Sequence, residues 1–61
     1  MQEDKEKRER VYSNGMWSVI KRTMVNGVAC YSVVRYGSPF IERTFDSIFK
    51  AIAWCEYRKD E

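Results

Sequence analysis

Apolar and polar positions alternate along the first two thirds of the chain in short runs that are typical of strands. Residues 16–25 and residues 28–36 are both rich in β-branched and aromatic residues. Between them lies Asn26-Gly27, a dipeptide favoured in two-residue hairpin turns because both residues tolerate positive φ. The two segments are therefore predicted to form an antiparallel hairpin with Asn26 and Gly27 as its turn residues.

A two-residue turn decides which residues of the hairpin lie opposite each other. In this register Val25 pairs with Val28, Arg22 with Tyr31, Ile20 with Val33, Val19 with Val34 and Trp17 with Tyr36. The more apolar face is predicted to form the core, and it consists of Trp17, Val19, Lys21, Thr23 and Val25 opposite Tyr36, Val34, Ser32, Cys30 and Val28. The other face places Arg22 and Arg35 on either side of Tyr31. Since Ile20, Val33 and Met24 also lie there, neither face is cleanly polar.

Two further elements follow the hairpin. Residues 37–39 are predicted to turn and residues 40–45 to form a short third strand, and Pro39 suits the start of an edge strand because it cannot donate a ladder hydrogen bond. Asp46 or Ser47 then caps a helix that runs to about Lys59. The side chains with helical spacing toward the sheet are Ile48, Ala51, Ile52 and Cys55, flanked by Trp54 and Arg58, whereas Phe49, Ala53 and Tyr57 are predicted to be exposed. The fold class is thus α+β, a three-stranded antiparallel sheet packed on one C-terminal helix (β-β-β-α).

The first ten residues differ in composition from the rest of the chain. Apart from Met1 they include no large apolar residue, and their four acidic and four basic side chains cancel. Such a segment buries too little surface to offset the cost of ordering, so residues 1–10 are predicted to be a disordered mixed-charge arm and residues 11–61 a single domain. The net charge of +2 then belongs to the domain, which permits a polyanionic partner without requiring one.

Several kinds of chemistry are disfavoured by the residue types present. The chain has no histidine, and its two cysteines, Cys30 and Cys55, are too few and too far apart for a zinc site. The acids are scattered, so a non-enzymatic protein without metal, cofactor or small-molecule substrate is predicted. The charged start resembles no signal peptide and no apolar stretch approaches a membrane span, which predicts a cytoplasmic protein with reduced thiols and no membrane partner.

Two sets of side chains are candidates for binding. The first comprises bases on or near the sheet with one aromatic, typical of contact with double-stranded DNA, namely Lys21, Arg22, Arg35, Arg43 and Tyr31. A solvated outer face explains the same residues without a ligand. The second comprises apolar side chains that a core this small cannot fully bury, which would serve a protein partner or self-association: Phe40, Phe49, Ile52 and Tyr57. Long neighbouring side chains folding over them would explain these equally well.

Three segments together resemble the arm-type DNA-binding domain of tyrosine-recombinase integrases. They are residues 31–37 (Tyr-Ser-Val-Val-Arg-Tyr-Gly), 41–47 (Ile-Glu-Arg-Thr-Phe-Asp-Ser) and 51–56 (Ala-Ile-Ala-Trp-Cys-Glu). The resemblance spans residues 17–56 and implies a three-stranded sheet in the DNA major groove with the helix behind it. It further implies that Arg35 and Arg43 lie on strands that contact DNA, with Lys21 and Arg22 on the preceding strand.

The chain also departs from the integrase pattern in two respects. No catalytic recombinase domain follows the helix, which favours a stand-alone accessory protein such as those carried by phages or mobile elements. The helix is apolar at Ile48, Phe49 and Ile52, where family members are mostly charged. The leading hypothesis is a small DNA-binding accessory protein that uses the outer face of its sheet. The alternative is a phage-type protein-interaction module or homodimer that uses an exposed aromatic patch.

Overall fold

Four antiparallel strands and one helix make up the fold. The structure is a computed structural model that describes residues 6–59. Its elements in chain order are β1 (Glu6–Ser13), β2 (Trp17–Met24), β3 (Ala29–Arg35), β4 (Ile41–Phe45) and α1 (Ile48–Tyr57). Neighbouring strands in sequence are neighbours in the sheet, in the order β1-β2-β3-β4. The α+β class with an antiparallel sheet and one C-terminal helix is confirmed, but the predicted count of three strands is wrong.

The additional strand, β1, includes half of the segment that was predicted to be a disordered arm. Residues 6–10 pair with β2 from Glu6 opposite Met24 to Arg10 opposite Ile20, so the prediction is wrong for them, and residues 1–5 lie outside the described part of the chain. An edge strand is ordered by backbone hydrogen bonds to its neighbour, and charged side chains protect its free edge from pairing with other chains. A break in register between Arg10 and Tyr12 lets Val11 and Tyr12 pack against the core.

The β2–β3 hairpin has a three-residue loop, so the predicted register is wrong by one residue. The backbone N–H of Gly27 donates to the carbonyl of Met24 at 2.9 Å, and the N–H of Met24 donates to the carbonyl of Val28 at 2.8 Å. Gly27 has φ of 91°, as expected for a type I turn closed by a glycine in the left-handed region. Trp17 therefore lies opposite Arg35 and Val19 opposite Val33.

This shift of one residue reverses the two faces of β3. Side chains alternate between the faces of a strand, so a slip of one position moves every side chain to the other side. Tyr31 and Val33 face the helix, whereas Cys30, Ser32 and Val34, which were predicted to be in the core, face away from it. The face predicted for β2 is correct, because Trp17 and Val19 are in the core.

The helix packs on one face of the sheet, and its start and its buried side follow from local sequence. It ends at Tyr57, with Arg58 as the C-cap, two residues before the predicted end at about Lys59. Ser47 is the N-cap, and its hydroxyl accepts a hydrogen bond from the backbone N–H of Phe49 at 3.2 Å. Ala51 and Cys55 are fully buried against the sheet. Ile52 and Trp54 pack around them, which confirms the predicted core stripe for Ala51, Ile52 and Cys55. Ile48, the first residue of that stripe, is only half-buried.

The core consists of five buried residues from two strands and the helix: Trp17, Val19, Val33, Ala51 and Cys55. Both cysteines are free thiols, as predicted. Cys55 lies between helix and sheet, where burial raises its pKa. Cys30 is on the other face of the sheet, opposite Arg22, so the sheet itself separates the two thiols.

Candidate functional site

The sheet face that α1 leaves uncovered carries both charged and apolar side chains in register, and we call it the open face. The alternation and pairing of the strands assign the following residues to it: Glu6, Arg8, Arg10 and Ser13 of β1, Ser18, Ile20, Arg22 and Met24 of β2, Cys30, Ser32 and Val34 of β3, and Ile41 and Thr44 of β4. Among these paired residues three are basic and one is acidic. The paired residues of the open face therefore carry a net positive charge.

A continuous chain of polar contacts crosses the open face from β1 to β4. Arg8 and Arg22 both donate from Nε to Oε2 of Glu6, at 2.5 and 3.0 Å, and Arg22 Nη2 reaches Oε1 of the same carboxylate at 3.3 Å. Arg22 Nη1 donates to the hydroxyl of Ser32 at 3.3 Å. The Ser32 hydroxyl lies 3.4 Å from that of Thr44. Every strand contributes at least one member, so these five side chains form one series of contacts across the sheet.

Strand pairing explains why Glu6 is bound so closely. Arg8 and Arg22 lie directly opposite each other on β1 and β2, and two like charges in that position repel. The carboxylate of Glu6 neutralises part of this charge. Hydrogen bonds from Arg22 and then Arg8 lower the pKa of Glu6 from 4.5 to about 2, and Glu6 raises the pKa of Arg22 in turn.

Protonation of Glu6 is expected to destabilise the domain in acid. Because the pKa of Glu6 is lower in the folded state, its contribution to stability is complete above about pH 4.5 and is lost as the pH falls toward 2. The Glu6→Gln variant should lack that part of the decline in the free energy of unfolding, as measured by urea titrations between pH 2 and 6. Identical pH profiles for the variant and the natural chain would contradict the ion pairs described here.

A depression of about 330 Å³ lies beside this polar chain. Its charged side is formed by Arg8 and Arg22, and its other lining residues are Ile20, Ser32, Val34, Pro39 and Ile41. Ser32 is only 1% exposed, and its hydroxyl accepts the hydrogen bond from Arg22. The open face thus places two guanidinium groups next to apolar side chains that line the depression.

The predicted DNA-binding residues do not share this surface. Arg22 is on the open face, whereas Lys21 lies opposite Tyr31 and Arg43 opposite Val33 on the helix side of the sheet. Tyr31 packs against the core. The prediction that Arg22 and Arg35 flank Tyr31 on one face is therefore wrong, because it depended on the two-residue turn.

Arg35 and Arg43 instead cover aromatic rings on the helix side. The guanidinium carbon of Arg35 lies 5.7 Å from the centre of the Trp17 ring, and that of Arg43 lies 5.6 Å from the Phe45 ring. Stacking of this kind stabilises a cation over an aromatic face and shields the ring from water. Both arginines remain exposed, so they form a second, separate basic area.

The residues proposed for protein contact do not share one surface either. Phe49 and Tyr57 are 80% and 85% exposed on the outer side of α1, as predicted, and Phe40 is 71% exposed in the loop before β4. Ile52, by contrast, packs against the core. Tyr36, which was assigned to the core face, is 81% exposed in the β3–β4 loop.

Three charged residues of the open face were missed in the sequence because they fall within the predicted arm, namely Glu6, Arg8 and Arg10. A signal for their strand was present. Asn14-Gly15, which precedes β2, repeats the dipeptide that marks the β2–β3 hairpin, and Gly15 has φ of 102°. A hairpin turn at this position requires a strand before it.

The full chain carries eleven basic and nine acidic side chains, a net charge of +2, so the basic character of the open face comes from the placement of its arginines. Within residues 6–59 no group of His, Cys, Asp and Glu side chains could hold a metal ion. Nor does this part of the chain contain a helix that is long and apolar enough to cross a membrane. No family model matches the chain, and no significant match was found among curated proteins or solved structures.

Proposed function

We propose that the protein is a non-enzymatic DNA-binding protein that docks the open face of its sheet against a duplex. The observation that carries this proposal is the placement of Arg8, Arg10 and Arg22 on adjacent strands of the uncovered face, with Glu6 as the acid paired among them. Arginine forks match the geometry of phosphate oxygens and of guanine edges. The helix is packed on the opposite face of the sheet and leaves this one free to approach DNA.

The dimensions of the β1–β2 ribbon suit the major groove. Adjacent strands are separated by about 4.8 Å, and a groove about 12 Å wide admits a two-stranded ribbon. Arg8 and Arg10 lie on the edge strand, where their side chains can extend toward phosphates at the rim of the groove. Ile20, at the centre of the ribbon opposite Arg10, offers an apolar contact of the type that thymine methyl groups accept.

The test compares two double variants that remove the same charge from opposite faces of the sheet. Arg8→Ala with Arg10→Ala should weaken binding to a labelled duplex about tenfold or more at low salt, and reduce the slope of log affinity against log salt by about one per lost phosphate contact. Arg35→Ala with Arg43→Ala should change the affinity much less. Fluorescence anisotropy over a series of salt concentrations measures both quantities.

Two results would point to another site or function. A larger loss for the Arg35 and Arg43 pair would move the interface to the helix side of the sheet, to the two arginines that the integrase resemblance assigns to DNA contact. No salt-sensitive binding by the natural chain would contradict DNA binding itself.

Protein binding is the second candidate function, and the exposed aromatics of α1 favour it. Phe49 and Tyr57 are 80% and 85% exposed, and large uncovered aromatic side chains are typical of protein interfaces. This surface faces away from the sheet, so it does not compete with the open face. Sedimentation of the same samples would reveal self-association. A dimer that binds no DNA would favour this second function over the first.

A further inference from the structure

Two guanidinium groups on the open face converge on a single oxygen atom. Arg8 Nε and Arg22 Nε lie 2.5 and 3.0 Å from Oε2 of Glu6. We propose that Arg8 and Arg22 form a phosphate-binding site, here called the anion site, which Glu6 fills when no DNA is bound. This inference rests on the proposed function, because its ligand is a phosphate group of the DNA backbone.

The donor geometry is suited to an oxyanion other than Glu6. Arg22 is held from beneath by the Ser32 hydroxyl, which in turn contacts Thr44, so its guanidinium is oriented by the sheet as well as by Glu6. The Arg8 side chain is 70% exposed and can follow an incoming ligand. Two charged donors that meet at one oxygen are a recurrent arrangement for binding phosphate.

The position of Glu6 makes it replaceable. Glu6 is on the edge strand, two residues before Arg8, and both ion pairs lie on the side of the sheet away from the helix. The side chains of Glu6 and Arg22 are 20% and 24% exposed, so solvent reaches both groups. The depression beside them opens onto both arginines, which leaves room for a group larger than a carboxylate. A DNA phosphate that enters the anion site must displace the carboxylate, so Glu6 lowers the affinity of the open face for DNA.

Replacement of Glu6 by glutamine tests this competition. Glu6→Gln keeps the shape of the side chain and removes its charge, and should raise duplex affinity about three- to tenfold at low salt while steepening the salt slope by about 0.9, the value for one additional phosphate contact. Glu9→Gln is the matched control. It removes the same charge from the same strand, but Glu9 lies opposite Lys21 on the helix side.

The possible outcomes separate the anion site from the proposed function. An increase confined to Glu6→Gln supports the anion site. Equal increases for both variants would show only a general effect of net charge and would overturn it, as would an unchanged or lower affinity of Glu6→Gln in a chain that still binds DNA.

If neither chain binds DNA, the proposed function fails. The site itself is then tested by titrating Glu6→Gln with inorganic phosphate while following the arginine Nε–H signals by NMR. Saturable shifts of Arg8 and Arg22 would support it, and their absence would refute it.

A second pair of variants applies if loss of Glu6 prevents folding. Arg8→Lys retains the charge but cannot form the fork, so it should lower duplex affinity about threefold with an unchanged salt slope. Arg43→Lys, on the helix side of the sheet opposite Val33 and outside the proposed DNA interface, should leave the affinity unchanged. Equal effects of the two substitutions would contradict a distinct site at Arg8.

Discussion

Replacing Trp17 by alanine is expected to unfold the domain. Trp17 is 5% exposed at the centre of the core, and its ring meets that of Trp54 edge-on, with centroids 4.8 Å apart. Removing a buried tryptophan side chain costs about 3–5 kcal/mol, and a core of this size rarely supplies more than about 3–5 kcal/mol of net stability. Far-UV circular dichroism and a proton–nitrogen NMR spectrum at 25 °C should therefore show a largely unfolded chain.

Milder substitutions separate the packing of the two tryptophans from their hydrogen bonds. The indole N–H of Trp17 donates to the carbonyl of Arg58 at 3.1 Å, whereas that of Trp54 is buried without a partner among the described residues. Trp17→Phe should therefore lower the free energy of unfolding by about 1 kcal/mol more than Trp54→Phe. A folded Trp17→Ala variant, or a larger loss at Trp54 than at Trp17, would show that the core is organised differently.

Loss of the Asn14 side chain is expected to have the second largest effect. Its Nδ2 donates to the carbonyl of Cys55 at 3.0 Å, and its Oδ1 accepts from the backbone N–H groups of Trp17 and Met16 at 2.9 and 3.2 Å. One side chain thereby joins the β1–β2 turn to the last turn of the helix. Asn14→Ala should lower the free energy of unfolding by about 1–3 kcal/mol, because it leaves partly buried backbone groups unpaired.

Asn26 provides a matched comparison for Asn14. It precedes a glycine in the other hairpin loop, and its Oδ1 accepts one hydrogen bond, from the backbone N–H of Val28 at 3.0 Å, at an exposed position. Asn26→Ala should cost about 0.5 kcal/mol, since water replaces the lost bond. Chemical denaturation of both variants measures the difference. Equal losses would mean that Asn14 acts only as a local turn residue and does not attach the helix to the sheet.

Local sequence was sufficient for the elements whose signals are short in range. The helix begins after Ser47, an N-cap residue, and its buried stripe was recognisable from the spacing of Ala51 and Cys55. The exposure of Phe49 and Tyr57 followed from the same periodicity. These features depend on residues within a few positions of one another, so no knowledge of the remaining fold was needed.

The register of the β2–β3 hairpin required more than local sequence. Asn26-Gly27 is compatible with a two-residue loop and with a three-residue loop that also includes Val25. The adjacent Val33 and Val34 make either face of β3 suitable for a core. The packed helix selects the register in which Val33 is buried opposite Val19. A slip of one residue was enough to assign Tyr31 and Arg35 to the wrong side.

The strand β1 was missed for a different reason, because its composition was misleading. Its residues have the composition of a disordered segment, and composition describes how much surface a segment can bury by itself. An edge strand needs little burial of its own, because a neighbour that is already ordered supplies its backbone hydrogen bonds. Only Val11 and Tyr12 contribute to the core, and the hydroxyl of Tyr12 donates a hydrogen bond to the carboxylate of Glu56 on the helix.

The sequence by itself determined the α+β class, the hairpin between β2 and β3, the edge position of β4 and the side of the helix that is buried. Only the tertiary structure decided the fourth strand, the hairpin register and therefore the membership of the open face. The physical reason is the distance along the chain between the residues that interact. Caps and helical periodicity act between near neighbours in the chain. The pairing of Arg8 with Arg22, and the contact of Arg22 with Ser32, join residues that become neighbours only when the sheet assembles around its core.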